Sequence, residues 1–426
     1  MSAAKPAAAN SGIEDTSSGN TLGLMRSHKR AMSLLEKLLI DCKSNRIAQK
    51  HPRPLICVAI PVCDEIERVG RCVEALSEQR DSSGLLIGRG QVRVVLMANG
   101  CTDGTYEFLL RNLESFQVAV TAYHARLPET RRNAGFARRM ANHAAIELLH
   151  RKSGLLFMTD ADSVAPPNWI ANYCQMLRGG YDAIAGQVDL NPDDSNEFLP
   201  LLHNRGTLEE RYTLLLDQLD SIVDPIPHDP WPRHCNASGA NIAVRVDALR
   251  GICDFPMVPC GEDRLLIKML EAHGRRVRHD CATRVLTSGR LFGRAPGGMA
   301  DTLRRRLKAP LTPCDARLEG AQAAYERALL RKRLREAWIN RDSWPSAAAM
   351  WFRQLKAEDQ LAIRAGACKH FDDIWQKLER IAPQLRRVPI LPSQLPTEIE
   401  NAQKIIRSLD DGYEDALDFA RSGVQA

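Results

Sequence analysis

Four short apolar runs organise the first part of the chain: Leu55 to Ile60, Val92 to Ala98, Val118 to Tyr123 and Leu155 to Thr159. Each is apolar at both odd and even positions, the pattern of a strand covered on both faces. Between them, apolar residues recur at helical spacing over Ile66 to Gln79, Thr105 to Leu113 and Gly135 to Arg151. The resulting β-α-β-α-β-α-β order predicts right-handed crossovers and a doubly wound, mostly parallel α/β sheet. All four strand ends then meet at one edge, the place where such sheets bind ligands.

The flanks read differently. Met32, Leu34, Leu35, Leu38, Leu39 and Ile40 lie among Lys and Arg and predict one basic amphipathic helix over Met25 to Lys50, packed on the main domain and broken at His51-Pro52-Arg53-Pro54. Beyond Asp162 the pattern loosens. Strands are expected over Ala183 to Val188 and Asn241 to Val246, and helices over Thr207 to Ile222 and Arg264 to Ala272, the latter stopped by Gly274. Asp224 to His234 is a Pro-, His- and Trp-bearing loop suited to shaping a pocket. After Lys308, charge-rich helical segments over Ala321 to Asn340 and Ala347 to Ala382 mark a separate region. The expected organisation is a disordered tail over 1–24, an N-terminal helix and linker over 25–53, the α/β domain over 54–300 and a C-terminal helical region over 301–426.

Composition narrows the classes. No run reaches the apolar length of a membrane span, and the Ala-, Ser-, Gly- and Asn-rich start lacks the basic and apolar regions of a secretory signal, so a cytoplasmic protein is expected. Lys and Arg exceed Asp and Glu by 58 − 52 = 6, a mild excess that suits phosphate-bearing ligands and leaves peripheral contact with an anionic membrane surface open. Aromatic residues make up only 5% and do not interleave with basic ones, which argues against nucleic acid. The twelve cysteines form no Cys-x-x-Cys pair and read as reduced structural thiols.

The chemistry collects at the strand ends. Thr159-Asp160-Ala161-Asp162-Ser163 follows the fourth strand directly, and two carboxylates spaced this way can share a divalent cation. The plainer alternative is helix capping by Asp162 or Ser163 ahead of Pro166 and Pro167. Pro61-Val62-Cys63-Asp64-Glu65 ends the first strand, and Asn99-Gly100-Cys101-Thr102-Asp103-Gly104-Thr105 the second, with two glycines that allow tight turns beside a ligand. Arg131-Arg132 and Arg138-Arg139 bring cations to a helix start, where a diphosphate can use guanidinium groups and free amides. Gly261-Glu262-Asp263 opens another helix and offers a general base, unless both acids simply favour the helix dipole. Thr287-Ser288-Gly289-Arg290, Arg294, Gly297 and Gly298 suit a basic loop over a charged ligand.

In this order the motifs Pro61-x-x-Asp64-Glu65, Asn99-Gly-Cys-Thr-Asp103-Gly-Thr105, Ala137-Arg138, Asp160-Ala-Asp162 and Gly261-Glu262-Asp263 resemble those of the family 2 glycosyltransferases, which have the GT-A fold. The resemblance runs from Leu55 to Gly298. It implies transfer of a sugar, of hexosyl or N-acetylhexosaminyl class, from a nucleoside diphosphate sugar (UDP- or GDP-linked) to a hydroxyl acceptor. By this similarity Pro61, Glu65, Asn99 and Asp103 would surround base and ribose, while Asp160 would sit near ribose and metal. Asp162 would ligate Mg²⁺ or Mn²⁺, and Asp263, or Glu262 in second place, would deprotonate the acceptor during a single inverting displacement. Arg138, Arg290 and Arg294 would contact the diphosphate, and His279 is a candidate further metal ligand. Two positions depart from the family: Asn99 stands where an acid is common, and Asp64 where Asn is usual. The segment from Leu199 to Ala240, with Tyr212, Asp224, His228, Asp229, Trp231, His234 and Ser238, is expected on the acceptor side.

Two alternatives accompany this reading. A nucleotidyltransferase also combines a doubly wound sheet with acid-held metal, but calls for a Gly-rich basic loop after the first strand, where Pro61, Asp64 and Glu65 stand. A non-catalytic nucleotide-sugar-binding protein would not require Asp160, Asp162 and Asp263 together.

Overall fold

The computed structural model describes residues 20–45, 54–88, 90–149, 154–192, 199–252, 254–293, 297–340, 342–357 and 368–422. Strands β1 (Leu39–Ser44), β2 (Ile56–Val62), β3 (Val92–Asn99), β4 (Ala119–Ala125), β5 (Leu155–Met158), β6 (Ala183–Leu190), β7 (Ile242–Arg245) and β8 (Val277–Thr287) form one sheet in the order β1-β4-β3-β2-β5-β7-β6-β8. The block β4-β3-β2-β5 is parallel, as is β6-β8, whereas β1 and β7 run antiparallel to their neighbours. The expected α/β sheet is therefore present, with its four leading strand ends on one edge.

Burial on both faces explains the unbroken apolar runs. Val58, Ile60, Val94 and Leu96 pack with α2 (Val69–Ser77), α3 (Thr105–Asn112) and α5 (Trp169–Arg178) on one side. The alternate residues Cys57, Ala59, Val95 and Met97 pack on the other with α4 (Ala134–Leu148), whose Ala137, Ala141, Ala144 and Ala145 let it lie close to the strands. The acids after β5 do not start α5: that helix begins at Trp169, and its N-cap Asn168 makes no side-chain cap. The capping alternative for Asp162 and Ser163 is thereby removed.

The N-terminal expectation needs correction. The helix α1 spans Asn20–Leu38, starting inside the segment assigned to the tail, and the chain then becomes β1 instead of continuing as helix. Pairing with β4 decides this: Ser44 stands opposite Thr121, their hydroxyls 3.0 Å apart, and Asn45 bonds the backbone of Leu113, Val118 and Val120. The tail over 1–19 lies outside the described residues.

The remaining helices are α6 (Leu199–Val223), α7 (Glu262–Ala272), α8 (Met299–Lys308), α9 (Ala321–Ile339), α10 (Trp344–Gln354), α11 (Phe371–Ile381) and α12 (Leu395–Ser422). The helix expected over Ala347 to Ala382 is thus two helices, α10 and α11, with 358–367 outside the described residues. Helix α6 buries Tyr212, Leu219 and Val223 against Leu318, Ala328, Leu395, Ile399 and Ile406 of the C-terminal region. A third cluster, built from Trp338, Trp344, Phe352, Phe371 and Trp375, joins α9, α10 and α11.

Candidate active site

The carboxyl edge of the parallel block opens into a cleft of about 720 Å³. Pro61 and Glu65 line it from the end of β2, Asn99 from β3, Arg138 from α4 and Asp160 and Asp162 from the end of β5. Glu262 and Asp263 reach it from the start of α7, and Arg290 from the segment after β8. Asp103 is absent from the cleft wall, and Arg294 lies outside the described residues.

Asp103 has a different job from the one expected at base and ribose. Its carboxylate accepts from the backbone N–H of Ile66 at 3.1 Å and of Thr105 at 2.9 Å, and from the Thr105 hydroxyl. Asp64 reciprocates by accepting from Thr102 N–H at 2.6 Å and from Asp103 N–H at 3.3 Å, while Glu65 N–H donates to the Thr105 hydroxyl at 2.8 Å. The two strand-end loops are therefore stitched together, with the left-handed φ of +53° at Asp64 and of +59° and +88° at Gly100 and Gly104 shaping the turns. This bracing leaves Asn99 at the cleft wall. Its Oδ1 is buried without a hydrogen-bond partner among the described residues, on a side chain only 3% exposed.

The arginines are committed to acids. Glu65 binds the Arg290 guanidinium through both carboxylate oxygens, one bond at 2.6 Å, and Arg290 also reaches Asp162 at 3.1 Å. Thr287 donates its hydroxyl to Asp162 at 3.3 Å. Arg138 is 5% exposed and pairs with Asp160, with Glu262 at 3.0 Å and with the carbonyls of Gly239 at 3.0 Å and Thr159 at 3.4 Å. Its guanidinium is engaged on every nitrogen. The expected diphosphate contact by Arg138 is thus replaced by an internal tie between two acids. Glu262, bound to Arg138 and 8% exposed, is likewise held away from a role as free base. Asp263 keeps an outward position, accepting from Gly239 N–H at 2.8 Å and from its neighbour Arg264 N–H at 2.7 Å.

Charge crowding is greatest at Asp162. Desolvation first, then the neighbouring Asp160, push its carboxyl up to about 6 against the opposing pull of Arg290. Such an acid pair suits a hard divalent cation, because Mg²⁺-like ions are held by one or two carboxylates and complete their shell with water and substrate phosphate oxygens. The donor set therefore fits. His279 does not join it: its Nδ1 pairs with the buried Asp229 at 2.9 Å, and no group of three His, Cys, Asp or Glu converges as a metal cage among the described residues. Beneath the loop, Cys72 sends its thiol to the Asp160 carbonyl at 3.3 Å, and burial pushes that thiol well up, making it structural. The eleven cysteines that can be described are all free.

Of the residues named from sequence for the acceptor side, Ser238 alone lines the cleft, with Asn236 and Ala237 beside it. Tyr212 is instead buried, donating to the Glu319 carbonyl at 2.6 Å; Asp224 pairs with Arg331 and Arg335; and Asp229 and His234 pack under β8. Their polarity serves docking of chain segments. Sequence reasoning missed the wall supplied by Gln187 and Asp189 of β6 and by Thr302, Arg306 and Asp315 from the C-terminal region. No local pattern distinguishes these from ordinary surface residues.

Residues 57–231 match the family model of Glycosyl transferase family 2. That stretch is similar to a family 2 glycosyltransferase domain. Among curated proteins, the domain is similar to Glycosyltransferase AglE of Haloferax volcanii, 24% identical over 204 residues that span 48% of this chain and 56% of AglE. Among solved structures, mannosyltransferase PcManGT from Pyrobaculum calidifontis, in complex with GDP-Man and Mn²⁺, is 17% identical, with a TM-score of 0.41 over 86% of this chain and 94% of that one. TarS 1-349 from S. aureus in complex with UDP-GlcNAc is 13% identical, with a TM-score of 0.40 over 76% of this chain and 90% of that one. The chain thus spans a little over half the length of AglE, and no helix among the described residues is long and apolar enough to cross a membrane.

Proposed function

We propose that this glycosyltransferase moves a sugar from a nucleoside diphosphate sugar to a hydroxyl acceptor with inversion, using a divalent cation held by Asp162 and Asp160. The observation that carries the reading is the convergence of Asp160, Asp162 and Asp263 on one cleft that Asn99 also lines. Asn99 accepts from an imino N–H of the base, a donor that uracil and guanine share, so UDP- and GDP-sugars are both admitted. When bound, Mg²⁺ or Mn²⁺ would offset the negative charge that grows on the departing diphosphate.

The chain's own groups do the rest. Asp263, fixed by two backbone N–H groups, takes the proton of the acceptor hydroxyl as its oxygen bonds the anomeric carbon. The bond from that carbon to the diphosphate oxygen breaks, and the nucleoside diphosphate leaves. Arg290 sits between Glu65 and Asp162, where it keeps a crowd of carboxylates compatible with one another. The C-terminal residues Thr302, Arg306 and Asp315 and the loop at Asn236 to Ser238 would form the acceptor side.

The test is a thermal-shift screen of nucleoside diphosphates and their sugars with and without Mn²⁺, followed by transfer assays on the stabilising donor. A metal-dependent shift with one nucleotide and a loss of about a hundredfold or more in transfer for Asp263→Asn are expected. Absence of stabilisation by every nucleotide sinks the proposal.

A further inference from the structure

Between Asp160 and Asp263 lies a connected path of hydrogen bonds through a residue that no motif singles out. Asp160 pairs with the Arg138 guanidinium, Arg138 donates to the Gly239 carbonyl at 3.0 Å, and the N–H of the same Gly239 donates to Asp263 Oδ2 at 2.8 Å. One residue thus presses a candidate metal acid's partner on one side and holds the candidate base on the other. Space, not backbone conformation, requires glycine here. A Cβ at 239 would come within 2.5 Å of Arg138 Cζ and Nη2 and 2.7 Å of its Nε.

An arginine tip usually gives way to such an intrusion at little cost, but this one has no free direction. Arg138 is fixed by Asp160, by Glu262 at 3.0 Å and by the Thr159 carbonyl at 3.4 Å. Glu262 precedes Asp263 on the first turn of α7, so Arg138 grips the base's helix as well as its hydrogen-bond donor. The same turn is pinned from behind, where Gly135 lies so close to the Val258 carbonyl that a Cβ there would stand 2.0 Å from its oxygen and 3.4 Å from Glu262 Oε2.

We infer that Gly239 and Arg138 form a positioning strut that fixes the Asp263 carboxylate relative to the Asp160–Asp162 pair. The strut sets the separation between the acid that takes the acceptor proton and the acids that hold the donor end. Its role is distinct from substrate contact: Gly239 acts through Asp263, and Arg138 through Asp160, Glu262 and the Gly239 carbonyl. The inference rests on the proposed role of Asp263 as base. Misplacement of a reacting group by about 1 Å costs on the order of a hundredfold in rate, which is the lever such a strut controls.

Gly239→Ala and Arg138→Lys test it, each with Asp263→Asn alone and in combination, on the full chain with the stabilising donor. Folding is checked by melting temperature and near-ultraviolet circular dichroism, and nucleoside diphosphate affinity by calorimetry without acceptor. Gly239→Ala is expected to lower kcat for transfer about ten- to a hundredfold, with nucleotide affinity within about threefold of the parent. Arg138→Lys, which retains the charge but cannot reach all four partners, is expected to lose kcat in the same direction and serves as the reporter if Gly239→Ala melts early. Adding Asp263→Asn to either variant is expected to cost much less than it does in the parent, because residues that act as a unit are not additive. Unchanged kcat, or full additivity with Asp263→Asn, overturns the strut. If Asp263→Asn alone transfers at the parent rate, the base assignment falls and the strut's function with it. A dead Asp263→Asn beside an unimpaired Gly239→Ala removes the strut only.

Discussion

At residue scale, the groups proposed to meet a ligand are also those least satisfied by the rest of the chain. Asp162 is the plainest case. Its carboxyl titrates higher in the folded chain than in the unfolded one, because desolvation and Asp160 oppose its charge. A group shifted in that direction adds stability that is complete below the ordinary carboxylate range and is lost as pH rises through about 6. In chelator-treated protein, Asp162→Asn should therefore raise the melting temperature by a few degrees near neutral pH and give no such gain below about pH 4, while removing metal-dependent transfer. A lower melting temperature at neutral pH would show that the pair with Arg290 outweighs the crowding. Asn99 follows the same logic without charge. Its buried Oδ1 lacks a partner among the described residues, so Asn99→Ala should leave stability level or slightly higher while weakening nucleoside diphosphate binding by about tenfold. Calorimetry against UDP and GDP reads both halves, and unchanged affinity for the nucleotide that stabilises the parent would detach Asn99 from the base.

At the scale of elements, what the sequence showed and what it hid follow from the range of the interactions. Strands β2, β3, β4 and β5 were legible because burial on both faces writes a continuous apolar run, and Asp160 and Asp162 were legible because they directly follow one of those runs. Strand β1 was not, since Leu39 to Ser44 continues the spacing of α1 and its state is set by β4, about eighty residues away in sequence. Gly239 was hidden for the same reason: its need for no side chain comes from Arg138, a hundred and one positions earlier. The Leu199 to Ala240 segment was misread at most positions because polar residues inside a helix interface look like polar residues in a pocket. Asp220 of α6 and Asp224 just beyond its end hold Arg331 of α9, and Asp224 is only 2% exposed. Arg331→Ala takes one of two arginines from each of these acids, Asp220 keeping Arg233 and Asp224 keeping Arg335, so the loss should fall below the ~3–5 kcal/mol typical of a buried pair broken outright. Denaturant unfolding should register that loss, with nucleotide affinity in the folded fraction unchanged; a loss under about 1 kcal/mol would mean that water reaches the acids and solvates them.

At the scale of the whole molecule, the C-terminal region is part of the α/β domain's packing and of its cleft. Arg317 binds the buried Asp217 at 2.8 Å and Asn236 of the cleft wall at 2.7 Å, while Thr302, Arg306 and Asp315 line the cleft directly. Helix α6 presents Tyr212, Leu219 and Val223 to helices that follow residue 308, and its acids Asp217 and Asp220, with Asp224 just beyond it, bind arginines there. Ending the chain after Lys308 would expose that apolar face and leave Asp217 and Asp224 without their arginines, Asp220 keeping Arg233, a combination that both lowers stability and favours association. The shortened chain should therefore lose a single cooperative melt, or aggregate, even though it keeps every strand of the sheet and all of the acids at its edge. Replacing only Arg317 separates the two contributions. Arg317→Ala should retain the cooperative melt at a reduced temperature and bind nucleotide normally, yet raise the KM for acceptor, because Asn236 loses its anchor on the cleft wall. A shortened chain that melts at the parent temperature and transfers sugar at the parent rate would make the helical region separable after all.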